Sequence, residues 1–219
     1  MQRPAMARRM NETRERILSV SKELFAKYGY RKTTIRLIIN ESGISSGSIY
    51  NMFKNKDEIF QAIVDETLDR CIDLVNTNFP SETPSFKFAA ISAIELNAII
   101  TNTIVRDIYF EAYTSNYMFE HLVKRNIKLQ NQLFSDEDIA RTEKKDQFIN
   151  TLLMKGTYRS FLVSFYFAHK TDPFECMDAL LHQILLFLNC DEREQRRIME
   201  KIHDNRAMWI LMGKKLLKQ

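Results

Sequence analysis

Thr33–Lys56 reads TTIRLIINESGISSGSIYNMFKNK, and its punctuation decides the fold around it. Thr33 or Thr34 can cap a short helix carrying Ile35, Ile38 and Ile39. The pair Ser42-Gly43 ends that helix, because a residue without Cβ accepts the positive φ of a tight turn. Ser45 caps a second short helix over 46–53, whose periodicity turns Ile49, Met52 and Phe53 inward and leaves Ser46, Ser48, Asn51 and Lys54 facing out. Ile44 plugs the space between the two helices. Downstream, Asn55 followed three residues later by Glu58 has the form of a capping box and opens a long helix reaching about Asn76. Upstream, Ile17, Leu18, Val20, Leu24, Phe25 and Tyr28 recur at helical spacing over 11–28, and Gly29 stops that helix.

Two short helices joined by a glycine turn and packed on a longer one have the dimensions of a helix-turn-helix, whose second helix lies in the major groove of DNA. Charge points the same way. Residues 1–56 hold 12 Lys and Arg against four Glu, a net of +8; the whole 219-residue chain carries +4, so the remainder is −4. A basic head on a mildly acidic body suits a polyanionic partner, although a solvated basic surface has the same composition. Arg3, Arg8 and Arg9 lie in a basic arm, 1–10, that can enter an adjacent minor groove or remain a solvated tail. Gly47 lets the start of the recognition helix approach DNA with no side chain in the way. A Thr at the start of the second helix and a Lys at the start of the fourth offer donors to phosphates on either side.

Over Ile17–Ile59, the residues Leu24-Phe25, Gly29, Thr33-Thr34, Ile38, Gly43-Ile44-Ser45, Gly47, Ile49-Tyr50, Phe53, Lys56 and Ile59 resemble the TetR-family DNA-binding domain, across about a fifth of the chain. The resemblance implies a homodimer that binds a near-palindromic operator, represses transcription, and lets go when a small molecule enters the C-terminal domain. It also implies phosphate contacts from Thr33, Thr34, Tyr50 and Lys56, with Ser45, Ser46, Gly47, Ser48 and Asn51 facing the bases. Tyr50 is large enough to serve in packing as well. Two positions depart from the family pattern: Ile39 stands where Ala is usual, and Met52 where Tyr or His is usual. The first suggests a repacked interface between the two short helices. The second removes a phosphate donor that Arg36 or Lys54 can replace.

The remainder is read from the residues alone. Only 5 Gly and 4 Pro are too few to punctuate a sandwich or barrel, so the expected class is all-α. A three-helix helix-turn-helix domain over 1–56 is followed by a helical effector-binding and dimerisation domain over 57–219. Pro80 and Pro84 mark a break. Helices are expected near 85–102, 106–114, 117–133, 144–169, 173–188, 192–203 and 205–217, with helix starts at Ser135–Asp138 and at Asp172 before Pro173. Among many aromatics, the hydroxyls of Tyr109, Tyr113 and Tyr158, with Asn97, Phe161 and Phe165, are candidates to line a pocket for a medium-sized hydrophobic or aromatic effector. The pair 144–169 and 173–188 is apolar on more than one face. Phe161, Phe165, Leu180, Leu181, Ile184, Leu185 and Leu188 are therefore the expected dimer interface. The segment 192–219 covers that bundle or packs on the effector core.

Enzymatic alternatives fare poorly. Gly43–Gly47 matches G-x-S-x-G, but that motif needs a strand before it, and here both flanks read as helix. His121, His169, His182 and His203 lack metal-ligand spacing, and Cys71, Cys176 and Cys190 show no C-x-x-C. No catalytic residue, metal or cofactor is expected. With no apolar run near the roughly 20 residues of a membrane span and no signal segment, the expected setting is soluble and cytoplasmic. Two rivals remain: a helix-turn-helix regulator controlled by a protein partner, and a helical interaction module or enzyme with a vestigial head.

Overall fold

The structure, a computed structural model, describes residues 3–134, 144–168 and 171–216. Every regular element among them is a helix: α1 (Arg3–Tyr28), α2 (Ile35–Ser42), α3 (Ser46–Met52), α4 (Lys56–Asn78), α5 (Pro84–Thr101), α6 (Thr103–Thr114), α7 (Asn116–Leu133), α8 (Lys144–Ser164), α9 (Pro173–Phe187), α10 (Glu192–Asp204) and α11 (Arg206–Lys215). The expected helix start at Ser135–Asp138 and the residue His169 lie outside the described residues. The chain divides into two compact units, Met1–Thr67 and Leu68–Gln219, and α4 runs across the division.

In the first unit the apolar stripes of four helices make one core: Ile17, Leu18, Leu24 and Phe25 of α1, Ile38 of α2, Ile49 of α3, and Ile59, Phe60 and Ile63 of α4 are all buried. Rings of Phe25, Tyr30 and Phe60 pack with centroids 4.5 to 5.6 Å apart. At the edge, Glu66 accepts from Arg14 and Lys22, each at 3.0 Å, tying α1 to α4. The basic stretch before Asn11 is not a free arm: from Arg3 it forms the opening turns of α1, and Arg8 pairs with Glu12 one turn on.

The second unit is built around α5. Thr83 caps it by accepting from the Phe86 N–H, and Pro84 occupies its first turn. From Ser85 to Ile99, 14 of its 18 residues are buried, so the helix has no solvent face and must be covered all round. Cover comes from α6, α7, α9, α10 and α11. α6 follows after a single residue, Asn102, which caps it by accepting from Ile104 and Val105; the two helices meet at 115°. Asp172 and Pro173 start α9 as expected, and Asp191 caps α10. The terminal segment packs on the core rather than covering a bundle: α11 lies along α5, with Trp209 fully buried and its indole N–H donating to the Ile202 carbonyl at 2.8 Å. No single described helix is long and apolar enough to cross a membrane.

The expected dimer residues need correction. Phe161, Leu180, Leu181, Ile184 and Leu185 are buried within the protomer, and Phe165 and Leu188 are half-buried, because the inward stripe of α9 faces α5 and α8. The apolar groups left outside lie on other faces of the same helices: Ile149, Leu152 and Leu153 on α8, and Leu186 on α9, with Leu153 52% and Leu186 54% exposed.

α11 approaches α5 closely only because residue 213 lacks a side chain: a Cβ there would sit 3.1 to 3.3 Å from the backbone N, Cα and Cβ of Ala98. Gly213→Val should therefore cost about 1–3 kcal/mol through overpacking, read as a lower denaturant midpoint.

Candidate functional site

The turn between α2 and α3 is assembled from short-range bonds. Gly43 takes the left-handed conformation (φ 66°, ψ 14°), and its N–H closes on the Ile39 carbonyl at 3.1 Å. The buried Ser42 hydroxyl donates to the same carbonyl and accepts from the Ile44 N–H, each at 3.3 Å. Ser45 then caps α3 by accepting from the Ser48 N–H at 3.2 Å, and the Ser45 and Ser48 hydroxyls pair at 2.8 Å. The helices flanking Gly43–Gly47 leave no strand for a nucleophile elbow.

Of the expected phosphate donors, Thr34 is exposed and caps α2 by accepting from the Leu37 N–H at 3.2 Å, a bond that leaves its own proton to donate outward. Tyr50 is 50% exposed, which limits its part in packing. Thr33 is a correction: it is buried, and its hydroxyl meets the carbonyls of Gly29 (2.9 Å) and Leu24 (3.2 Å). It anchors the loop after α1 instead of facing a phosphate. Lys56 is also bound inward. Its ammonium donates to the carbonyls of Tyr30 (2.8 Å) and Thr33 (2.9 Å) and lies 4.0 Å above the Tyr30 ring, while Tyr30 itself donates to Asp57. The capping box at α4 is shifted by one residue: Asn55 accepts from Glu58, and Glu58 reaches back to the Lys54 N–H.

Ser46, Gly47 and Asn51 are exposed on α3, and Ser48 is half-buried. Ser45 is exposed but committed as a cap. Nothing lies within 4 Å of where a Gly47 Cβ would stand. Arg36 and Lys54 are exposed, Ile39 and Met52 half-buried. The outward surface of α2 and α3 is thus a set of short hydroxyls, one amide and one phenol flanked by cations, which suits hydrogen bonding to base edges between phosphate contacts.

The second unit holds a polar group in its interior. Tyr109, Tyr113 and Tyr158 come together around a residue that sequence reasoning passed over, Glu95, which accepts from the Tyr109 hydroxyl at 2.8 Å. Burial pushes the Glu95 carboxyl upward, against the pull of Lys155 and of the Tyr109 bond. Lys155, equally buried, is pushed down by desolvation and held up by Glu95; its ammonium lies 4.5 Å from the Tyr158 ring and 6.0 Å from the Tyr113 ring. The Tyr158 hydroxyl is buried. Ser92 lies close enough to favour its ionised form but completes no hydrogen bond with it. Both overlooked residues had a signal: Glu95 is the lone charge in the run Phe88–Ile100, and Lys155 interrupts Leu152–Tyr158.

The other candidates do not join this group. Asn97, two residues and about 200° around α5 from Glu95, donates to the Ala93 carbonyl (2.8 Å) and faces the Met177 sulfur. Phe161 and Phe165 stack edge-on at 5.2 Å, and Phe165 lies under Arg106 beside a cleft of about 330 Å³ that Ile100, Ser164 and Pro173 also line. A larger cleft, about 470 Å³, lies among Ile72, Asn76, Lys87, Leu129 and Leu133. Among the described residues no group of His, Cys, Asp and Glu is arranged to hold a metal ion.

The first unit thus has the helix-turn-helix arrangement with a basic, polar outward face, and the second unit is all helical. Residues 17–63 match the family model described as bacterial regulatory proteins, tetR family. Over 50 residues it is 50% identical to the HTH-type transcriptional regulator YerO of Bacillus subtilis, a match covering 23% of this chain and 17% of that one. The matched stretches span 17 to 30% of the lengths of the first curated relatives. A longer likeness, 25% identity over 156 residues, covers 67% of this chain and 68% of the HTH-type transcriptional repressor KstR2 of Rhodococcus jostii. Among solved structures, RolR in complex with resorcinol shares the fold, with a TM-score of 0.60 at 17% identity over 89% of this chain and 96% of that one.

Two substitutions separate architecture from contact in the head. Lys56→Met should cost about 1–3 kcal/mol by orphaning two carbonyls, whereas Tyr50→Ala should stay within about 0.5 kcal/mol; chemical denaturation measures both. In the body, Glu95→Gln or Lys155→Met alone should lose about 1–3 kcal/mol, while the double variant recovers most of the loss because no buried charge is left without its counterpart.

Proposed function

We propose that the chain is a homodimeric transcriptional repressor that binds a near-palindromic operator in the cytoplasm through α2 and α3 and releases it when a small hydrophobic or aromatic ligand enters the second unit. The observation that carries this reading is the outward face of α3: Ser46, Gly47, Tyr50 and Asn51 are exposed after a glycine turn of the right geometry, with Arg36 and Lys54 at the flanks. Thr34, Tyr50, Arg36 and Lys54 contact phosphates; Ser46, Gly47, Ser48 and Asn51 face bases. Lys56 contributes charge at the edge while holding the loop 30–33.

Dimerisation uses the outward stripe of α8 and α9, where Ile149, Leu152, Leu153 and Leu186 leave apolar surface in water that a second copy would cover. Two copies present two recognition helices to successive major grooves, and a ligand that binds better to the wrongly spaced state lowers DNA affinity. No catalytic role is assigned.

The deciding experiment is a titration of the purified protein against DNA upstream of its own gene and against a competitor, over a salt series. Binding to a short palindrome supports the reading; binding indifferent to sequence, there and in a selection of bound genomic fragments, overturns it. Gly47→Ala is the sharpest variant. It should hold or raise stability by about 0.5–1 kcal/mol, since Gly is unfavourable in a helix, yet weaken operator binding at least about tenfold by placing a methyl at the groove. Arg36→Ala or Lys54→Ala should flatten the salt slope by about 2 for a dimer, roughly one phosphate per protomer. Leu153→Glu should yield monomers by light scattering and lose operator binding without losing helicity.

A further inference from the structure

We propose that the interior group of the second unit is a carboxylate-binding site, and that the effector is an organic acid with a flat apolar body whose acid group lies between the Lys155 ammonium and the Tyr158 hydroxyl. This rests on the reading of that unit as an effector domain and names the chemistry of its ligand.

Lys155 is only 4% exposed, yet among the described residues its ammonium makes no hydrogen bond and no ion pair; it meets only the faces of two tyrosine rings. A buried ammonium is stable in such a place when a good acceptor reaches it. The Tyr158 hydroxyl, on the same face of α8 one turn away, is likewise buried and completes no hydrogen bond, although Ser92 stands beside it. Two adjacent donors therefore lack an acceptor. Glu95 does not fill that need: it stands within electrostatic reach of both, but Tyr109 holds one of its oxygens and no ion pair to Lys155 forms.

A carboxylate supplies what is missing. Its two oxygens accept from Lys155 and Tyr158 in charge-assisted bonds, the strong class in a dry interior. Burial also raises the Glu95 carboxyl's hold on a proton, which lessens its repulsion of a second acid group. The walls set the rest of the ligand. Tyr113 and Tyr158 lie nearly parallel (12°) at 5.9 Å, and Tyr109 continues the ladder at 18° and 6.4 Å, surfaces that favour a planar unsaturated body. The flexible Lys155 stem swings off the Tyr158 ring to admit it. Lys155 and Tyr158 share α8 with Ile149, Leu152 and Leu153, which face outward, so an acid pulling on one face of α8 acts on the face proposed to meet the second subunit.

The probes are benzoate, 3-phenylpropanoate and 2-naphthoate, each beside its primary amide, titrated calorimetrically into the full chain, with DNA binding followed in parallel. At least one acid should bind, raise the melting temperature and release the DNA, and its amide should bind about ten- to a hundredfold more weakly, the worth of a hydrogen bond to a charged group. The Glu95→Gln/Lys155→Met double variant should lose the preference for acid over amide. Tyr158→Phe should raise the melting temperature of the protein alone, by removing an unpaired buried hydroxyl, and still weaken acid binding, a combination that a packing role would not produce. The proposal is overturned if no acid binds, if amides bind as tightly as acids, or if the double variant keeps its preference. Neutral compounds that bind and release the DNA would sink the carboxylate site while leaving the repressor intact; absence of specific DNA binding would sink the repressor whatever the acids do.

Discussion

The helix Pro84–Thr101 has no face for water, and the second unit is arranged around that constraint. Each Ile, Leu or Phe along it gains about 1.5–3 kcal/mol by leaving water, but only if some other helix covers it. Five do so, and three of them are placed by a local signal: an Asn cap that turns the chain through 115° into α6, an Asp-Pro start for α9, a glycine on α11 that admits close approach. The same burial makes Glu95 costly. A carboxyl in the middle of a dry helix needs a donor, and Tyr109 is brought in from α6 to supply it, while Lys155 of α8 acts on it only through its charge. The polar interior is thus a direct outcome of how α5 is buried. Cys71 of α4 stands within electrostatic range of Glu95, Tyr109 and Tyr158, so the long helix that begins at Lys56 also borders this group.

The head obeys a different economy. Its helices are short, and α3 has seven residues, so propensity alone does not hold it. Its geometry comes from bonds that bind the loops: the Ser42 hydroxyl across the glycine turn, Thr33 on two carbonyls, and Lys56 on two more with Tyr30 beneath it. Groups that seem aimed at a partner in a linear reading are here the fasteners that keep the outward face in place.

That difference explains which features the sequence disclosed. Caps and turns are local, so Thr34, Gly43, Ser45, Asp172-Pro173 and most helix limits could be read from neighbours in the chain. Which side of a helix meets its own core is a tertiary fact. The stripe Leu180, Leu181, Ile184, Leu185 is apolar whether it faces a partner or α5, and only packing shows that it faces α5. The tyrosines of the interior were legible as aromatics with hydroxyls; the group they form was not, because Glu95 and Lys155 lie 60 positions apart and, though each breaks an apolar run, nothing local links the two. Thr33 was misplaced for a related reason, since a threonine at a helix start has the same sequence context whether its hydroxyl points outward or back to the preceding loop.

The segment Ser46–Met52 contains no charged side chain. If α3 reads the bases as proposed, the part of the protein that chooses a sequence is electrically neutral, and the part that holds the polyanion, Arg36 and Lys54 among others, lies beside it. Choice and grip are then carried by separate residues. A change of Ser46, Ser48 or Asn51 would redirect the protein to another site without altering how firmly it adheres to DNA in general or how fast it searches along it, so such a head can acquire new targets in evolution by single steps that leave its solubility and its background occupancy untouched.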